Sequence, residues 1–203
     1  MKVAFIGASG NVGSKVLAEI LSRGHEVTAI VRNPDKLPTQ AKLTVKRGDV
    51  YDEAGLAKLL AGHDAIISAV HFSASDPTKL LAAVEQSGVK RYLVVGGAGS
   101  LEVKPGLTLV ETPEFPALYK KEAEAGGDYL KLLRGEKQLE WTFLSPSAVI
   151  APGVRTGKFR LGKDQLLVGA DGKSFISQED YAIAMTDELE RPQHVRARFT
   201  VGY

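Results

Sequence analysis

Three glycines stand at a fixed spacing near the start of the chain: Gly7, Gly10 and Gly13 in GASGNVG. They follow a short apolar run, Lys2–Ile6, and open an amphipathic stretch, Asn11–Arg23. Glycines so placed between strand and helix suit one task, the holding of a diphosphate against backbone. Gly7 permits the tight turn. Gly10 lets the backbone approach the phosphates with no Cβ between them, and Gly13 lets the helix pack closely on the sheet. The helix N-terminus adds unpaired N–H groups and the positive end of its dipole. Ser9, Asn11 and Val12 complete the loop as further contacts, the first two with side chains able to hydrogen-bond. The expected ligand is a dinucleotide.

Arg32 ends the second apolar run. An acid at that point would bond a ribose 2′-hydroxyl and select NAD. An arginine instead offers a charge-assisted contact to a 2′-phosphate, so NADP(H) is favoured over NAD(H). Lys36 reads as surface decoration. Two later strand ends belong to the same crevice, because ligands of open α/β sheets bind beyond the carboxyl ends of the strands. Asp49 and Val50 of RGDV are placed to flank an adenine, and Ala69 and Val70 of ISAV to line the adenosine or ribose side.

The elements that must position these residues follow from apolar patterning. Strands are expected at Lys2–Ile6, Glu26–Val31, Leu43–Lys46, Ala65–Ser68, Tyr92–Val95, Thr142–Leu144 and Ala197–Val201. Helices are expected at Asn11–Arg23, Glu53–Leu60, Thr78–Ser87, Ala117–Arg134 and Gln178–Leu189. Apolar strands alternating with helices specify a parallel sheet covered on both faces, and right-handed crossovers make it a doubly wound α/β (Rossmann) fold. Gly24, Gly62 and Gly88 recur where helices end. After Leu144 the chain turns rich in Gly, Pro and Lys, and residues 146–203 are read as a small substrate-side cap on a single domain spanning 1–203. Ser177 and Asp180 are read as a capping box for the last helix.

Composition removes several classes of function. The 203 residues hold no cysteine, so disulfides, thiolate nucleophiles and Cys-based metal sites are excluded. Net charge is +2 with no basic block, which favours neither nucleic acid nor a membrane surface as partner. The histidines show no metal-ligand spacing, and no G-x-S-x-G elbow occurs. The first strand starts at Lys2, leaving no signal peptide, and a cytoplasmic protein is expected.

GASGNVGSKV, VVGGAGSL, LSPSAVIAPGVRTGKFRLGKDQLL and SFISQEDYAIAMTDELE with RFTVGY together resemble the atypical short-chain dehydrogenase/reductase proteins. The likeness is to the NAD(P)H-binding group that includes NmrA-like proteins and biliverdin-reductase-like flavin reductases, and within it to the family designated NADH-flavin reductases. It implies a nicotinamide-dependent oxidoreductase, with a flavin as substrate rather than prosthetic group. The NADH of that designation conflicts with the reading of Arg32.

Many dehydrogenases of the wider family use Tyr-x-x-x-Lys, in which the lysine lowers the tyrosine's pKa. Here the residues four beyond Tyr51, Tyr92, Tyr119, Tyr129 and Tyr181 are Gly55, Gly96, Ala123, Leu133 and Met185. Hydride transfer to a conjugated ring still needs only a placed nicotinamide with an open face. Gly96 and Gly97, after the fifth strand, would let a flat ring approach the backbone. The resemblance puts Pro146, between Ser145 and Ser147, at the nicotinamide end. Ser100 and His71 are the protic candidates for catalysis, and Phe72 is a candidate stacking surface for an acceptor. The leading expectation is a reductase with a small-molecule acceptor, a homodimer being left open. A non-enzymatic NADP(H) sensor is the second reading, and an extended-branch epimerase or dehydratase the third.

Overall fold

The computed structural model describes residues Met1–Tyr203. In chain order the elements are β1 (Lys2–Ile6), α1 (Asn11–Ser22), β2 (Glu26–Val31), β3 (Leu43–Arg47), α2 (Glu53–Leu60), β4 (Ala65–Ser68), α3 (Pro77–Gln86), β5 (Arg91–Val95), β6 (Glu102–Lys104), β7 (Leu107–Thr108), α4 (Ala117–Gly135), β8 (Glu140–Ser145), β9 (Val149–Ala151), β10 (Arg160–Gly162), β11 (Phe175–Ser177), α5 (Gln178–Glu190) and β12 (Ala197–Gly202). The anticipated strands and helices all form, most ends falling where expected and the others moving by one or two residues. The β6–β7 hairpin was not anticipated; its residues carry no period-2 apolar pattern and lie largely exposed.

Eight strands make one sheet in the order β10-β12-β8-β5-β4-β1-β2-β3. Every pairing is parallel except that of the edge strand β10 with β12. The chain runs outward from β1 through β2 to β3, then returns to β4 on the other side of β1. Strand order therefore reverses between β1 and β4, which opens a crevice at their carboxyl ends.

Alternation along each strand divides the core between two faces. Val3 and Phe5 point to one layer with Val16 and Ile20 of α1 and with Tyr181 and Met185 of α5. Ala4 and Ile6 point to the other, with Leu56 of α2, Leu80 of α3 and Leu130 of α4. Gly24, Gly62 and Gly88 take positive φ after α1, α2 and α3, as their positions required.

The C-terminal segment is more than a cover. Its strands β10 and β12 extend the main sheet, and Ile176, Phe199 and Val201 enter the same core layer as α1 and α5. The remaining loops, with the small β9–β11 ladder, lie outside it. Ser177 caps α5 by accepting from the Asp180 N–H at 3.0 Å. Asp180 does not reciprocate as a capping box. Its buried carboxylate instead accepts from Thr156 N (2.8 Å), Gly157 N (2.9 Å) and the Tyr203 hydroxyl (2.7 Å). The shorter Asp side chain turns away from the cap and ties down the 152–157 loop.

Candidate functional site: a dinucleotide crevice

The glycine loop runs from the end of β1 into α1. Gly7 has φ +81°, and a Cβ there would stand 2.6 Å from the Ala69 carbonyl oxygen. A Cβ on Gly13 would lie 2.4 Å from the Gly7 carbonyl oxygen. Both positions exclude any larger residue for reasons internal to the fold. Gly10 differs, because a Cβ there would meet only the Gly7 carbonyl oxygen, at 3.4 Å. It is exposed and serves as the N-cap of α1 with no side chain to occupy the helix amides. No acid stands in that first turn. By contrast, Asp52 caps α2 and Asp76 caps α3. The amides of Asn11, Val12 and Gly13 therefore present an uncompensated positive end at the crevice, as an anion requires.

Arg32 follows β2 beside this loop. Ser9, Arg32, Asn33 and Lys36 line one cavity of about 310 Å³ with no hydrophobic residue among them. Lys36, expected to be decoration, is thus brought to the same cavity as Arg32 by the single turn of 3-10 helix at Pro34–Lys36, which Asn33 caps. Two cations and a hydroxyl around one small polar space suit a phosphate monoester.

At the other strand ends, the Ala69 N–H donates to the Ile6 carbonyl at 2.9 Å, which places Ala69 and Val70 directly beside Gly7. Val50 and Val70 are half-buried and pack on the α2–α3 layer. The Asp49 carboxylate accepts from Tyr51 N at 2.9 Å, so it also holds its own turn. Gly96 has no room for a side chain: a Cβ would meet the Phe143 ring at 2.3 Å. Gly97 faces open space. The Leu144 carbonyl accepts from Gly96 N at 2.9 Å and from the buried Tyr181 hydroxyl at 2.7 Å. Pro146 is buried immediately beyond.

The protic candidates have distinct surroundings. Ser100 Oγ stands 3.4 Å from Nη1 of Arg198, whose guanidinium is buried and paired with Asp164. Burial lowers the Arg198 pKa, against the opposing pull of Asp164. The His71 side chain is 83% exposed, with Nδ1 3.5 Å from a Glu122 carboxylate oxygen. Phe72 is not free to stack on an acceptor. Its ring packs over Gly126 of α4 and lies 5.6 Å from Tyr129 and 6.0 Å from Phe143. Burial pushes the Tyr92 hydroxyl up to about 12 and raises those of Tyr129 and Tyr181 well above the ordinary phenol value, and all three are enclosed in the core. No group of three or more His, Asp or Glu is arranged to hold a metal. A further cavity, about 330 Å³, lies outside α5 among Phe159, Leu161, His194 and Phe199, and no strand-end loop of the crevice contributes to it.

The family model described as NAD(P)H-binding matches residues 7–192, from the first glycine of the loop to the end of α5. The chain belongs to this NAD(P)H-binding family. Among its relatives is the uncharacterized protein YwnB of Bacillus subtilis, 43% identical over 99% of this chain and 98% of that protein. A solved structure from Bacteroides thetaiotaomicron, provisionally described as an epimerase, is 46% identical, with a TM-score of 0.95 over 100% of this chain and 96% of its own. Another, from Streptococcus pneumoniae and provisionally described as an NADH-flavin reductase, is 36% identical, with a TM-score of 0.86 over 100% and 99%.

As an NAD(P)H-binding protein, the chain shows a crevice that fits its group: a Cβ-free approach at Gly10, an uncapped helix end and a polar cavity at Arg32. Sequence alone places none of four residues of the surroundings at the site, Asp180 entering only as half of a capping box. Tyr181, Arg198 and Asp180 come from the C-terminal segment, and Glu122 lies in KKEAEA, which reads as a solvated face. Only the odd Asp in SQED, where Glu or Gln is usual, carried a local signal. No helix is long and apolar enough to cross a membrane.

Proposed function

We propose that the protein is a reductase with a preference for NADP(H), passing hydride to a flavin or a similar conjugated ring. The observation that carries the cofactor preference is the convergence of Ser9, Arg32 and Lys36 on one polar cavity. In this reading Gly7, Ser9, Gly10, Asn11, Val12 and Gly13 hold the diphosphate, and Arg32 and Lys36 bind the 2′-phosphate. Asp49, Val50, Ala69 and Val70 shape the adenosine side, and Gly96, Gly97 and Pro146 the nicotinamide side. When bound, the reduced nicotinamide supplies the hydride. The chain's own task is to place it with one face open. Open space at Gly97 and the lack of any tyrosine–lysine pair favour a ring acceptor over alcohol or ketone chemistry. The same lack speaks against carrying over the epimerase description of the Bacteroides relative.

The test is NADPH oxidation by purified protein with FMN and then riboflavin, with NADPH binding measured on the same sample. Saturable turnover is expected. Tight binding without turnover would instead favour the NADP(H) sensor. Arg32→Ala should weaken NADPH binding about tenfold or more, the value of a lost charge-assisted contact, while NADH binding changes little. Equal losses for both cofactors would remove the 2′-phosphate assignment.

A further inference from the structure

The loop after β4 is clamped on α4 by two independent devices. The Phe72 ring fills the space left by Gly126, where a Cβ would come within 3.0 Å of it. One residue on, the Glu122 carboxylate accepts from Phe72 N at 2.8 Å, from Ser73 N at 2.9 Å and from Ser73 Oγ at 2.5 Å. Burial would raise the Glu122 pKa, but these hydrogen bonds outweigh it and hold the group below the ordinary carboxylate range. Glu122 is thus a fixed anion and not a freely rotating surface side chain. Ala123, next to Glu122, packs on Gly99 of the loop after β5, where a Cβ would lie 2.7 Å from that of Ala123, and His71 stands directly before this clamp. Its Nδ1 faces Glu122 at 3.5 Å, and its Nε2 has no protein partner. The other groups beside it are the neutral hydroxyls of Ser73 and Ser75, and Glu122 is its one ion-pair partner.

An isolated ion pair on a surface contributes little. This one differs because the carboxylate is held by the loop that carries the imidazole, so both partners are placed by the same clamp. A carboxylate 3.5 Å from Nδ1 attracts the proton to that nitrogen by its charge and leaves Nε2 outward as the working atom. We infer that His71 is the proton donor to the reduced acceptor and that Glu122 is its positioning residue. The inference rests on the reductase reading above and adds the proton to it.

The step balances as follows. The acceptor's conjugated system gains a hydride from the reduced nicotinamide, which is oxidised by two electrons. The Nε2–H bond of the His71 imidazolium breaks as a new N–H or O–H bond forms on the acceptor ring. The neutral imidazole then takes a proton from water.

The test compares wild type, His71→Gln and Glu122→Gln in NADPH oxidation with FMN, with NADPH affinity measured for each. His71 is exposed, so H71Q tests chemistry with little risk to folding. H71Q should lose at least tenfold in kcat at unchanged NADPH affinity. E122Q should lower kcat in the same sense. A readout without turnover comes from ¹⁵N NMR of the imidazole in the free protein. The neutral Nδ1–H tautomer should dominate in wild type and lose its dominance in E122Q. Wild-type kcat in H71Q would overturn the proton role and leave the reductase reading standing. The same tautomer in wild type and E122Q would overturn the role of Glu122. No turnover in wild type that binds NADPH would overturn both the reading and the inference.

Discussion

At the scale of the residue, the three glycines of the loop have different duties. Gly7 and Gly13 are demanded by the fold, because each would drive a Cβ into backbone oxygen. Gly10 is not demanded by the fold, because nothing in the protein stands closer than ordinary contact, and we propose that the ligand demands it. A paired substitution separates the two. Gly13→Ala should destabilise by about 2 kcal/mol, the usual cost of forcing a methyl into filled space, read as a lower urea midpoint. Gly10→Ala should unfold within about 0.5 kcal/mol of wild type, as a surface change does, yet lose NADPH affinity by calorimetry. Unimpaired NADPH binding by G10A would mean that the diphosphate does not pass over this residue.

At the scale of the element, α1 and α5 are held side by side through charged groups as well as apolar ones. Arg23, the C-cap of α1, donates to Asp187 at 2.6 Å and to Glu190 at 2.9 Å on α5. Glu19, nearly buried on α1, accepts from both Arg23 and Arg155. Its pKa is lowered by the hydrogen bond from Arg155, with burial opposing and Arg23 assisting. Asp180 is lowered too: burial would raise it, but its bonds from Thr156, Gly157 and Tyr203 prevail. A carboxyl depressed in the folded state stabilises above its unfolded pKa, and that contribution is lost as pH falls through the folded value. Asp180→Asn should therefore cost about 2 kcal/mol at neutral pH. The gap to wild type should narrow in acid, where the wild-type group is itself protonated. Urea unfolding at several pH values checks this, and a gap independent of pH would refute the sign.

At the scale of the whole molecule, the C-terminal segment completes the Rossmann core. Tyr181, Met185, Phe199 and Val201 are buried in the same layer as Phe5 and Val16. Tyr181 reaches through that layer to the Leu144 carbonyl, which also receives Gly96 N just beyond β5. We propose that residues 1–203 unfold as one cooperative unit. A chain ended at Ala151 should show no cooperative transition in urea, since it exposes the inner face of α1 and leaves β8 without its β12 neighbour. Cooperative unfolding of that fragment would show residues 152–203 to be separable after all.

Sequence alone determined the features governed by short-range rules. Strand and helix periodicity, the glycine turn, the Arg32 position after β2 and the helix-ending glycines each depend on neighbours within a few residues, and all appeared where they were expected. Tertiary structure decided whatever depended on distant partners. Lys36 joins Arg32 only because a turn of 3-10 helix folds it back toward Ser9. Phe72 is withdrawn from the acceptor side because Gly126, far along the chain, leaves space for its ring. Glu122 looks like one charge among many until the loop after β4 folds onto it. Asp180 abandons its cap because the 152–157 loop brings it three donors and Tyr203 a fourth. The physical reason is common to these cases: hydrogen bonds and close packing are satisfied in space, and a sequence displays only the partners that lie near along the chain.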